Sequence, residues 1–198
     1  MLVLASASPR RREMLERLGM TLEVVPADLD ETPYANEVPE AYVARIAAAK
    51  ASAIAARLPD RWVLAADTTV TIDGAILGKA GDGAEAATML RQLSGRTHHV
   101  ITGFAINGPG VAGRPHVQTV TSDVDVIELD PAMVADYVAS NEWRGKAGAY
   151  AIQGIAAAFI RGVRGSVTNI IGLPLVEVLA ALRLVGAPGA QLARGLAS

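Results

Sequence analysis

Residues 4 to 12, Leu-Ala-Ser-Ala-Ser-Pro-Arg-Arg-Arg, place three consecutive cations at the start of a helix. Ser8 suits the N-cap and Pro9 the first helical position. Met14, Leu15 and Leu18 then recur on one face and Gly19 supplies a stop, which predicts a helix from about Pro9 to Leu18. The first turn of a helix carries free N–H groups and partial positive charge, so it favours anions. Arg10, Arg11 and Arg12 therefore conflict with their own backbone. A bound anion resolves the conflict, and a phosphate-rich ligand is the natural one. The alternative is a solvated basic helix start after a short first strand.

Composition limits who that anion can be. A net charge of −2 excludes broad, non-specific binding of nucleic acid or membrane surfaces, so an anionic ligand must be held by a local cluster. Cysteine is absent, which excludes disulfides, thiolate metal sites and Cys nucleophiles. No apolar run approaches the roughly 20 residues that span a bilayer, and a soluble cytoplasmic protein is expected. The 198 residues, half of them apolar, suit one large or two-lobed domain. A single domain is expected over residues 1–186, with a frayed tail over 187–198 that lacks any periodic pattern. Only three of the 18 basic residues are lysine, namely Lys50, Lys79 and Lys146. A chain that writes nearly every positive charge as Arg keeps Lys where a compact point charge matters.

Strand and helix patterns mix throughout. Strands are predicted at Met1 to Ala5, Leu22 to Val25, Trp62 to Ile72 and Ala75 to Leu77, the last two joined by an Asp73-Gly74 hairpin. Further strands are predicted at His98 to Asn107, Val117 to Leu129, Tyr150 to Ile152 and Ala156 to Val163. Besides the first helix, helices are predicted from Glu40 to Arg57, Ala84 to Leu93 with Asp82 as cap, Asp130-Pro131 to about Ser140, and Pro174 to Val185. An α/β or α+β domain with a mixed sheet follows.

Several motifs mislead. Gly108, Gly110 and Gly113 have dinucleotide-loop spacing, but Arg114-Pro115 and a strand follow them instead of a helix, so they read as a hairpin loop. Gly74 to Ala80 is one residue short of a Walker loop and ends in Ala80 where Ser or Thr would hold magnesium. His98 and His99 face opposite ways on a strand, and with His116 they lack metal-ligand spacing. Asp123 and Asp125 share a strand face, which reads as solvated, with chelation of a metal as the alternative.

Asp67 is different, because it follows the apolar run Trp62-Val-Leu-Ala-Ala. A carboxylate after such a run must be paired, metal-bound or facing a cleft. With Asp30 and Glu31 it can form an acidic site for a hard divalent cation; a salt bridge to Arg45 or Arg11 is the structural alternative. Cations beside carboxylates suit metal-assisted attack on a phosphate ester or anhydride.

At this point the residues resemble a family. Leu4-Ala-Ser-Ala-Ser-Pro-Arg-Arg, Ala65-Ala-Asp-Thr-Thr-Val, Ser94-Gly-Arg-Thr-His-His-Val-Ile-Thr, Lys146-Ala-Gly-Ala-Tyr-Ala-Ile-Gln-Gly, and Gly165-Ser through Gly172-Leu-Pro resemble, in family order, the Maf family of nucleoside triphosphate pyrophosphatases. The resemblance runs from residue 4 to about 180, and all three lysines fall in or beside its blocks. It implies an α/β fold like inosine triphosphate pyrophosphatase, with a mixed central sheet and a cleft between two lobes, often as a homodimer. It implies cleavage between the α and β phosphates with a divalent metal, Mg²⁺ or Mn²⁺. Asp67 matches the family's proton acceptor, and Ser6, Arg11, Glu31, Lys50 and Lys79 match its polar cleft positions. Metal would rest on Glu31 and Asp67. Arg10, Thr68 and Gln153 stand where subfamilies differ and look like the dTTP/UTP type, whereas the 7-methyl-GTP type tends to carry Trp, Gln and Glu. Gln offers both donor and acceptor to a pyrimidine edge. Ala80 departs from the family's usual proline, which loosens the case for Lys79. Two other readings stay open, a broader house-cleaning pyrophosphatase for modified nucleotides and a nucleotide-binding regulator of cell division.

Overall fold

A computed structural model describes residues 1–109, 111 and 114–189. Gly110 and Gly113 of the glycine-spaced loop, and residues 190–198 of the tail, lie outside the described residues. Ala187 is still packed, giving its N–H to the Leu182 carbonyl at 2.9 Å.

The chain is α/β and is built on one mixed seven-stranded sheet. In order it forms β1 (Leu2–Leu4), α1 (Pro9–Arg17), β2 (Leu22–Val24), α2 (Pro39–Arg57), β3 (Trp62–Ile72), β4 (Ala75–Leu77), α3 (Gly83–Leu93) and β5 (Thr97–Asn107). Then come β6 (His116–Val126), α4 (Pro131–Ala139), a 3₁₀ turn (Ile155–Phe159), β7 (Ile160–Arg164), α5 (Val167–Ile171) and α6 (Leu175–Val185). The strand order is β2-β1-β3-β5-β6-β7, with β4 pairing β3 off that path. β1 runs parallel to β2 and β3, whereas β3–β4 and β6–β7 are antiparallel.

Two compact units divide the chain. The first takes Met1–Asp67, Thr102–Val120 and the described residues from Gly172; the second takes Thr68–Ile101 and Thr121–Ile171. In the first unit, Val3, Ala5, Val63, Ala65 and Ala105 of the strands pack against Ala47, Ala51 and Ile54 of α2. Alanines and one glycine let this helix lie close: a Cβ on Gly103 of β5 would stand 2.5 Å from the Val43 backbone carbonyl. In the second unit, α3 and α4 close over β-strand residues in a larger core that includes Tyr137, Trp143, Tyr150 and Phe159.

Local signals set most boundaries. Gly19 ends α1 at φ 75°, Asp73 and Gly74 turn with φ 52° and 76°, and Asp82 and Asp130 accept capping bonds from the Glu85 and Met133 N–H groups. Ser8 is the N-cap of α1, though without a side-chain capping bond, and its N–H donates to Ser6 Oγ at 3.2 Å. Three expectations fail. No strand forms at Tyr150 to Ile152; Gly154 N–H closes a turn onto the Ala151 carbonyl, and Ala151 N–H goes to a side chain, the Tyr137 hydroxyl, so no ladder runs through this segment. The strand expected from Ala156 begins as a 3₁₀ turn and becomes β7 only at Ile160, since the run Ala156 to Ala158 has little preference for a strand. β6 stops at Val126, and Leu129 N–H is taken by Ser94 Oγ at 2.7 Å. The short α5, started by Ser166 Oγ accepting the Asn169 N–H at 3.2 Å, is a helix the periodicity does not reveal.

Candidate active site

The start of α1 is an arginine anchor. Ser6, buried after β1, accepts a bond from Arg11 Nη1 at 3.1 Å. The same nitrogen donates to the Ala66 carbonyl at 2.8 Å, and Arg11 Nε donates to the Gly172 carbonyl at 2.7 Å. The guanidinium thus ties the β1–α1 junction to the middle of β3 and to the segment before α6. Burial lowers the Arg11 pKa from its ordinary value, and the charges of Asp67 and Glu31 oppose that shift. Arg10, half-buried, is likewise lowered by burial, while Arg12 turns outward to pair with Glu16. Of the three consecutive cations, then, one faces water and two face the protein.

Beside this anchor lies a buried charge cluster. Lys50 sits on the apolar stripe of α2 among Ile46, Ala47, Ala51 and Ile54, and it is only 7% exposed. Its ammonium bonds Asp67 Oδ1 at 2.8 Å and Glu31 Oε1 at 2.8 Å. Asp67 is 8% exposed, so its charge depends on that ammonium. The sequence offered Arg45 or Arg11 as the structural partner of Asp67, and the direct partner is Lys50. Arg45 instead bonds Glu37 with Nε and Nη2, each at 2.6 Å, gives a third bond to the Thr32 carbonyl, and lies 3.9 Å over the Tyr34 ring. Arg45 therefore fastens the loop that carries Glu31, a role the sequence did not reveal. Its only signal is the proximity of Glu37 and Tyr34 to a cationic position on a helix.

Asp30 does not join the acidic set. Its carboxylate accepts the Thr32 N–H at 2.9 Å and hydroxyl at 2.6 Å, and these bonds hold its pKa below the ordinary carboxylate value. Among the described residues no group of three or more acidic or histidine side chains is placed to hold a metal ion. Two carboxylates do converge, Asp67 and Glu31, and they meet on one cationic atom.

Ser6, Arg11, Glu31, Lys50 and Asp67 thus come together within the first unit. Thr68, Lys79 and Gln153 belong to the second. Thr68 follows Asp67 on β3 and is half-buried. Lys79 is exposed between β4 and α3, where its backbone bridges Ala147; neighbouring Ala80 packs into the core of that unit. Gln153 is exposed on the turn from Ala151 to Gly154. His98 is buried with its ring on the Tyr150 hydroxyl at 2.7 Å, and His99 faces outward to Asp123, as alternation on a strand requires. Asp123 and Asp125 are not simply solvated, since Arg164 pairs with both.

A mixed-sheet α/β protein that gathers a lysine and two carboxylates beside the arginine anchor of its first strand–helix junction has the charges to hold an anionic ligand. The Maf-like protein family model matches residues 1–185, and the chain belongs to the Maf family. A dTTP/UTP pyrophosphatase of Rhodospirillum rubrum is 50% identical over 93% of this chain and 88% of its own length. One of Myxococcus xanthus is 50% identical over 95% of this chain and 94% of its own. Among solved structures, the Staphylococcus aureus Ham1 protein matches 63% of this chain and 71% of its own at 17% identity, with a TM-score of 0.47.

Proposed function

We propose that this chain is a nucleoside triphosphate pyrophosphatase that hydrolyses dTTP and UTP between the α and β phosphates, giving the nucleoside monophosphate and pyrophosphate. Relatives at 50% identity over most of the chain bear that activity in their names, and the chain shares their family. The observation that carries the reading is Lys50, an ammonium held at 2.8 Å by each of two carboxylates beside the Arg11 anchor. This arrangement concentrates cationic groups for a polyphosphate and leaves a buried carboxylate next to them.

In this reading Ser6, Arg11, Lys50 and Lys79 bind phosphate oxygens, and arriving phosphates compete with Asp67 and Glu31 for the Lys50 ammonium. Asp67 then accepts a proton from water as the water oxygen bonds to the α-phosphorus. The bond from that phosphorus to the bridging oxygen breaks, and pyrophosphate leaves with the electron pair. Mg²⁺ or Mn²⁺ fits the donors present, because hard divalent cations take carboxylate oxygens together with phosphate oxygens and water. Glu31 and Asp67 would hold it, and when bound it supplies neutralisation of the triphosphate charge. Arg10, Thr68 and Gln153 select the base, with the Gln153 amide offering a donor and an acceptor to the pyrimidine edge. A single functional domain, a homodimer and a cytoplasmic location belong to the same reading. Among the described residues no helix is long and apolar enough to cross a membrane.

The test is pyrophosphate release from dTTP, UTP, CTP, GTP, 7-methyl-GTP and ITP with Mg²⁺ or Mn²⁺, by the wild-type protein and Asp67→Asn. Release from dTTP and UTP that falls about a thousandfold in the variant is the expected result. Release mainly from modified or purine nucleotides would favour the house-cleaning activity. Binding without release from any of them would favour the regulator.

A further inference from the structure

Gln153 is exposed, on a turn outside the sheet. What fixes that turn is a pair of side chains from elsewhere in the chain, Tyr137 of α4 and Glu142 of the turn that follows it. Gly154 N–H bonds the Ala151 carbonyl at 3.1 Å, which puts Ile152 and Gln153 at the two central positions of the turn. On its far side, Ile155 N–H donates to Glu142 Oε2 at 3.0 Å and Ala156 N–H to Glu142 Oε1 at 3.4 Å. These are free N–H groups at the start of the 3₁₀ turn, and one carboxylate takes both. On the near side, Ala151 N–H donates to the Tyr137 hydroxyl at 3.3 Å, and that hydroxyl donates to Glu142 Oε1 at 3.1 Å. The chain on either side of Gln153 thus hangs from one connected pair.

The pair is itself rigid. Tyr137 is 1% exposed, its ring set edge-on against Phe159, and burial followed by the nearby Glu142 charge raises its pKa, which keeps the hydroxyl a donor. Glu142 precedes Trp143, also 1% exposed, whose indole N–H is bonded to the Val138 carbonyl at 3.0 Å. The carboxylate packs so closely under the turn that a Cβ on Gly154 would meet it, and a larger residue there requires the Glu142 carboxylate to shift.

We propose that Glu142, supported by Tyr137, is a positioning residue for base selection: it holds the Ala151–Gly154 turn so that the Gln153 amide meets the pyrimidine in one orientation. This rests on the reading of Gln153 as a specificity residue. Glu142 touches no substrate; it acts through Gln153. Replacing the carboxylate by an amide leaves the volume but turns one acceptor into a donor that faces a backbone N–H.

The experiment measures kcat and KM for dTTP and GTP in the wild-type protein, Glu142→Gln, Gln153→Ala and the double variant, with amide hydrogen exchange at Ile155 and Ala156. Glu142→Gln is expected to speed exchange at both amides, raise KM for dTTP with little change in kcat, and lower the dTTP-over-GTP ratio of kcat/KM about tenfold. In the double variant the ratio should fall no further than in Gln153→Ala. Tyr137→Phe, which removes only the hydroxyl, should move the same readings by less and serves if Glu142→Gln does not fold. Unchanged exchange, a ratio that Glu142→Gln leaves intact while Gln153→Ala lowers it, or independent losses that multiply in the double variant would each overturn the role of Glu142. Wild-type selectivity in Gln153→Ala would overturn the assignment of Gln153 itself, and the role of Glu142 with it.

Discussion

Replacing Lys50 by Met removes the charge but keeps an apolar stem on the same face of α2. Two carboxylates lose their partner, and they lose it unequally. The side chain of Glu31 is 40% exposed and can turn into water, so its bond contributes little. That of Asp67 is 11% exposed and stands on β3, where the charge of Arg11 remains to compensate it. Breaking a buried pair by removing one partner costs about 3–5 kcal/mol; with Arg11 still present the lower end applies, about 3 kcal/mol. For a chain of this size that is a fall of roughly 6–12 °C in melting temperature. Asp67→Asn is the contrasting case, because Lys50 keeps Glu31 and water; it should change stability by no more than about 1 kcal/mol. Thermal unfolding at pH 7 followed by circular dichroism measures both. Added Mg²⁺ should restore more of the lost stability to Lys50→Met than it adds to the wild-type protein, since a divalent cation can take the vacated place between the carboxylates. Equal, small losses in the two variants, or a Lys50→Met protein as stable as wild type, would refute the view that this ammonium compensates the buried Asp67.

Two further outcomes can be measured without substrate. Arg45→Met gives up the paired bonds to Glu37, the bond to the Thr32 carbonyl and the stacking on Tyr34, so limited proteolysis should cut first between residues 26 and 38 at a cost of about 1–2 kcal/mol in stability. A wild-type cleavage pattern would show that Arg45 does not fasten this loop. His98 is lowered to about 4 by burial, with His99 lowering and Asp125 raising it, so the unfolded chain binds more protons between about pH 4 and 6.5. Stability should therefore drop as pH falls through that window, by about 2 kcal/mol between pH 6.5 and 5 from this group. His98→Gln keeps a polar atom toward Tyr150 and should flatten the pH dependence of the melting temperature; an unchanged slope would show that His98 does not set it.

Much of the architecture is written locally. Ser8-Pro9 and Gly19 bracket α1, Asp73-Gly74 makes the β3–β4 hairpin, and Asp82 and Asp130 open α3 and α4, because caps and turns involve residues within four positions of each other. Lys50 is legible as one of only three lysines in the chain and as a match to the family's polar positions, but not as the partner of Asp67 and Glu31. The segment from Tyr150 to Phe159 departs from the predicted strands because the Ala151, Ile155 and Ala156 N–H groups go to the side chains of Tyr137 and Glu142, and no periodicity records such partners. The blocks around Ser6, Asp67 and Gln153 were enough to indicate the family, since short motifs preserve the chemistry that each needs.

The pairings are another matter. Arg11 reaches a carbonyl 161 residues away, Lys50 chooses Asp67 and Glu31, and Arg45 turns to Glu37 instead of Asp67. The sequence by itself determined the elements, the anion-seeking helix start and the residues able to do the chemistry, because those follow from backbone periodicity and side-chain type over a few positions. Which charge compensates which was decided only by the tertiary structure, because the energy of a buried ion pair depends on distance and exclusion of water, and both exist only once the chain has folded.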